Sequence, residues 1–120
     1  MTASTGNLPP PPPPAEVRSS RRQRVLLGGK IAYDDGHYTY DCAIRDLSST
    51  GARLGIRGAT VLPKYFYLVD LRSGMAHDCE VIWRDARHTG VRFRGSLALS
   101  DLTDPKLKFL RNLYVEAALR

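Results

Sequence analysis

Two stretches of this chain carry residue types that could hold an anionic, hydrogen-bonding ligand. Arg18-Ser-Ser-Arg-Arg22 places two guanidiniums four residues apart. A guanidinium is a planar, permanently charged fork. It binds phosphate oxygens in pairs and stacks on flat rings. Asp46-Leu-Ser48-Ser-Thr-Gly51 supplies a carboxylate, a hydroxyl and a glycine. The carboxylate accepts from two adjacent donors, the hydroxyl donates or accepts beside it, and the glycine permits a positive φ or a close backbone approach. On a strand, Asp46 and Ser48 fall on one face because side chains alternate. An ordinary polar β-turn, with Asp46 and Ser48 capping their own backbone, uses the same residue types. For an isolated RxxxR, a solvated basic linker is the favoured explanation. The chain contains a second such pair, Arg53 and Arg57, which differs from the first in position and not in residue type.

Around these stretches the hydrophobic pattern has period two, which marks strands. Val25, Leu27, Ile31 and Tyr33 share a parity, with Gly28-Gly29 predicting a bulge or bend. Asp34-Asp-Gly-His37 is a hairpin signal. Tyr38 to Ile44 alternates as a second strand, and Ala52, Leu54 and Ile56 define a third. Tyr65 to Leu71 is apolar on both parities, as in a strand covered on both faces. Cys79, Val81 and Trp83 define a fifth strand, and Val91 and Phe93 a sixth. Six short strands joined by turns predict an all-β, antiparallel six-stranded barrel or sandwich, with the barrel at about residues 24–95. At Asp104-Pro105 the period changes. An N-cap acceptor followed by proline, then Leu107, Leu110, Tyr114 and Ala117 at helical spacing, predicts an amphipathic C-terminal helix over about 104–119. Residues 1–17 contain six consecutive prolines (Pro9 to Pro14) and few large apolar side chains. They read as a disordered, proline-rich tail that serves as a stiff spacer or docks on an aromatic groove. The folded part is expected to span 18–120.

The formal net charge of +6 favours anionic partners without choosing among them. Cys42 and Cys79 lack metal-ligand spacing and read as buried, reduced thiols. His37, His77 and His88 show no metal-type spacing, and no serine or cysteine lies in a nucleophile-elbow context, so no catalytic residue, metal or cofactor is assigned. Asp34 and Asp35 are loop-forming. Three Phe and one Trp, spread through core-phase positions, form no stacking platform for nucleic acid. With no apolar run of membrane length and no secretory signal, the expected location is cytoplasmic.

RxxxR before the first strand and DxSxxG between the second and third, in this order, resemble the signature of the PilZ domain. Trp83-Arg84 followed by Gly90-Val-Arg-Phe93 is similar to the end of a PilZ barrel. The resemblance covers roughly residues 18–119. It implies a six-stranded β-barrel with a flanking helix that binds the bacterial second messenger cyclic di-GMP. Arg18 and Arg22 would hold phosphates and guanine faces, Asp46 and Ser48 a guanine edge, and Gly51 would let the backbone approach. Arg24, Arg21 and Trp83 are auxiliary candidates, and Tyr33 is a further ring that could stack. The implied mechanism is an N-terminal Arg segment that orders on ligand binding and signals to an unidentified downstream protein. Two alternatives remain: a ligand-independent PilZ-like adaptor, and a basic barrel that binds nucleic acid.

Overall fold

A computed structural model describes residues 23–56 and 61–119, with side chains from residue 27 onward. Six strands form a closed antiparallel barrel in the order β1-β2-β3-β6-β5-β4. They are β1 (Gln23–Tyr33), β2 (Tyr38–Leu47), β3 (Gly51–Ile56), β4 (Tyr65–Asp70), β5 (Met75–Arg84) and β6 (His88–Ala98). Two 3-10 turns, Leu99–Asp101 and Pro105–Leu107, lead into one helix, α1 (Lys108–Ala118). The expected tail 1–17 lies outside the described residues.

The period-two pattern has a direct structural cause. Ile31, Ile44, Leu54, Phe66, Leu68, Cys79 and Val91 point inward and fill the barrel. Gly29 is an inward position where three strands converge. A Cβ there would lie 2.9 Å from Cys42 Sγ and 3.2 Å from Leu68 Cδ1, so the lack of a side chain lets the barrel close. The irregularity expected at Gly28-Gly29 occurs slightly earlier, as a register shift between Arg24 and Leu27. Both thiols are free. Burial pushes Cys42 up to about 12 and raises Cys79 as well, so both stay protonated at neutral pH.

β4 is apolar on both parities because it has two cores to serve. Phe66 and Leu68 face the barrel, while Val69 joins Ala32, Ala76, Leu99, Leu102 and Leu110 under α1. Leu110 is fully buried and anchors the helix. Arg111 fixes its approach by donating to Leu99 O (2.9 Å) and Leu102 O (2.6 Å). Asp104 accepts from Lys106 N at 2.9 Å, as an N-cap does, but the turn it caps is 3-10 and the α-helix begins only at Lys108. His77 lies within β5, where its ring stacks on Phe93 at 4.0 Å and Nδ1 meets Ser96 Oγ at 2.6 Å.

Candidate functional site

The site begins with the short hairpin between β2 and β3. Ser48 N donates to Gly51 O at 2.9 Å, closing the turn around Ser49 and Thr50. Ser48 lies beyond the end of β2, so the one-face argument that paired it with Asp46 does not hold. Its Oγ accepts from Thr50 N (3.2 Å) and Gly51 N (3.1 Å), the self-capping role of an ordinary polar turn. Gly51 is required by space. A Cβ there would collide with the carbonyl oxygen of Val91 on β6. Thr50 O also receives Phe93 N at 2.8 Å, which ties the hairpin tip to β6.

Asp46 plays a different part. The β2–β3 register shifts between Ile44 and Asp46, leaving Arg45 as the extra residue. A bulge of this kind re-aims the side chains that follow it. Ile44 and Leu47 both pack with the barrel core, while Asp46 pairs across the ladder with Arg53. Its carboxylate is almost fully buried, and Arg53 Nε donates to Oδ2 at 2.5 Å. Arg53 Nη1 lies 3.4 Å from His88 Nε2. Burial first, and the Arg53 guanidinium second, hold the His88 imidazole below its ordinary range, so Nε2 can accept from Arg53 at neutral pH. Asp85 holds the turn before β6 by accepting from the backbone N–H groups of Arg87 and His88, both at 2.8 Å. These contacts keep its carboxyl below the ordinary range.

The outer surface of the barrel can be read as cross-strand rows. Asp46, Arg53, Gly90 and Trp83 form one row through successive ladder pairs, and Ala43, Gly55 and His88 form the next. Trp83 packs with neither core; its indole covers Gly90, where any Cβ would strike the ring. Trp83 is therefore a half-buried ring on the outside of the barrel, beside Arg53. Tyr33 instead packs against the barrel core and stacks on Tyr38 at 5.0 Å, away from this row.

The fold thus brings Asp46, Ser48 and Gly51 into one hairpin, with Trp83 at the end of the Asp46 row. Arg18, Arg21 and Arg22 lie outside the described residues, as does the side chain of Arg24. The backbone is informative all the same. Gln23 pairs with Leu47 and Arg24 with Asp46, so β1 begins beside the hairpin. Arg53, missed as a site residue from the sequence, completes the polar row, and His88, also missed, meets it from the next row. Among the described residues, no cluster of His, Cys, Asp and Glu could hold a metal ion, and no helix is long and apolar enough to cross a membrane.

A closed six-stranded barrel with this hairpin and a flanking helix defines a small β-barrel domain. The family model of the PilZ domain matches residues 16–113, and the chain belongs to the PilZ domain family. This is a family of cyclic di-GMP receptors whose domains typically bind and do not catalyse. Among solved structures, the Bacillus subtilis inhibitor of motility MotI/DgrA is similar at 12% identity with a TM-score of 0.54, over 90% of this chain and 56% of that one. The PilZ domain of CeSA from a cellulose-synthesizing bacterium matches at 15% identity and a TM-score of 0.46, over 82% of this chain and 99% of that one. An uncharacterized Legionella protein matches at 17% identity and a TM-score of 0.45, over 82% and 90%. No curated protein matches the chain.

Proposed function

We propose that this protein is a cyclic di-GMP receptor, with a preformed half on the barrel and a closing half in the N-terminal segment. The observation that carries the reading is the register of β1: Gln23 and Arg24 pair with Leu47 and Asp46. Arg22 immediately precedes that corner. An extended chain advances at most about 3.6 Å per residue, which keeps Arg18 within about 18 Å of Gln23. Both guanidiniums can therefore reach a ligand lying against Asp46.

Asp46 enters the complex already oriented by Arg53. Each carboxylate oxygen accepts more than one hydrogen bond, so the guanine N1–H and amine can share it with Arg53. Ser48 contributes mainly by fixing the turn. Gly51 keeps the hairpin close to β6, and Trp83 offers a ring face to a base or to an Arg18 or Arg22 guanidinium. Arg18 and Arg22 supply bidentate contacts to phosphate, with Arg24 and Arg21 as auxiliaries. Ligand binding orders the segment 18–24 against the barrel and presents a changed surface to a protein partner.

Calorimetric titration of cyclic di-GMP into the wild type and into Arg22→Ala tests this. Saturable binding that weakens at least tenfold in the variant is expected, because charge-assisted contacts to phosphate are lost. No heat at micromolar wild-type protein would remove the ligand and favour the adaptor reading. Amide exchange across 18–24 should slow when ligand binds; unchanged exchange contradicts the ordering step.

A further inference from the structure

Beside the Asp46 row lies a cleft of about 870 Å³, within the size range of small-molecule sites. Its floor is made of small residues, Ala43 on β2 and Gly55 on β3, with Ala86 in the turn before β6. Its rim carries Arg45, Arg87 and His88. Arg45 is held over the floor: its Nε lies 3.5 Å from where a Gly55 Cβ would be, and His88 Cδ2 lies 3.9 Å from the same point. Gly55 therefore leaves open the space that the two groups overlook.

The charge around this cleft is unbalanced. Arg53, Arg45 and Arg87 all act on His88 electrostatically, and each lowers its proton affinity. Of the nearby anions, Asp46 is taken by Arg53, Asp85 by backbone N–H groups, and Asp41, at the far end of the cleft, by Lys30. Among the described residues neither Arg45 nor Arg87 has an ion-pair partner. Guanidiniums gathered over a small-residue floor, without a counter-charge, form an anion site with room for a flat group above it.

We propose that this cleft is a phosphodiester-binding subsite, in which Arg45 and Arg87 hold phosphate oxygens beside the His88 ring. It is contiguous with Asp46 through the Arg53–His88 contact. The identity of its ligand as cyclic di-GMP rests on the receptor reading above; the anion chemistry does not. The phosphodiester belongs either to the ligand held at Asp46 or to a second molecule beside it.

The test compares wild type, Arg45→Ala/Arg87→Ala, and a control that removes the same charge elsewhere, Arg72→Ala/Lys108→Ala. Cyclic di-GMP is titrated by calorimetry at several salt concentrations. The cleft variant should bind at least tenfold more weakly than the control, with a shallower salt dependence. Unchanged stoichiometry assigns the phosphodiester to the first ligand, and loss of one equivalent assigns it to a second. Equal binding by the cleft variant and the control overturns the subsite and leaves the receptor reading intact. If wild type fails to bind cyclic di-GMP, the receptor reading fails, and inorganic pyrophosphate decides the cleft. Saturable shifts of the His88 ring signals that vanish in the cleft variant support it, and their absence in wild type overturns it.

Discussion

Two sides of the same barrel are finished in opposite ways. Against α1, the outward side chains of β1, β4 and β5 are apolar and fully covered, and Arg111 spends its guanidinium on two backbone carbonyls. On β2, β3 and β6 the outward positions include Ala43, Arg45, Asp46, Arg53, Gly55 and His88, none of which joins either apolar core. The first side closes a core. The second retains charge, a ring and open floor space, at the corner where the N-terminal segment enters. A small barrel that left one whole face polar would be difficult to hold together on a single core, since a domain of about 100 residues has little core to spare. The helix supplies a second core on the opposite side and lets the β2–β3–β6 face stay polar.

If that division is real, the largest stability change should come from the helix side. Leu110→Ala removes a fully buried side chain from the second core. It should cost about 2–5 kcal/mol in urea unfolding, while cyclic di-GMP affinity, measured well below the unfolding transition, stays within twofold. A loss of affinity parallel to the loss of stability would show that the two sides are mechanically coupled and break the contrast.

Asp46→Asn probes the other side and should give a smaller stability effect with a larger effect on binding. The variant keeps the shape but removes the anion that offsets Arg53, leaving a partly buried guanidinium beside His88. A cost of about 1–3 kcal/mol is expected for a charged hydrogen bond with one partner neutralised. Ligand binding should fall by more than tenfold. Unchanged urea stability would mean that the pair contributes nothing to folding, as many solvated ion pairs do not.

Much of this contrast was legible in the residue pattern. The inward sets on β2, β3 and β6 follow from alternation, and the two-sided apolarity of Tyr65 to Leu71 follows from its two cores. Arg53 was recognisable only as a decoy arginine pair, yet its role follows from the turn. A hairpin in which Ser48 faces Gly51 sets Leu47 opposite Ala52 and Asp46 opposite Arg53, and opposite charges directly across a ladder attract. What alternation could not give was the bulge at Arg45, because one extra residue reverses the parity of everything before it. Reading Ser48 as a strand residue failed for a related reason: its hydroxyl is consumed by the turn that makes the register possible. Parity puts Trp83 at a core-phase position, but Gly90 beneath it gives the indole a seat outside. His88 was invisible because its partner Arg53 lies far away in sequence.

The smallest effect concerns pH. His88 is held below its ordinary value of 6.5 by burial and by Arg53, Arg45 and Arg87, against Asp85. His77 is lowered by burial against Asp70. For a histidine depressed by folding, the unfolded chain binds more protons between the two values. Stability is therefore full above the unfolded value and declines as pH falls from 6.5 toward the folded value. Urea midpoints should drop modestly between pH 7 and pH 5, and the His88 ring proton signal should titrate below 6.5. Arg53→Met should move that titration upward, because it removes a cation beside the ring, while leaving His77 where it was. If His88 titrates at or above 6.5 in wild type, the ring is not confined with unbalanced guanidiniums, and the polar face loses the feature that sets it apart from the helix side.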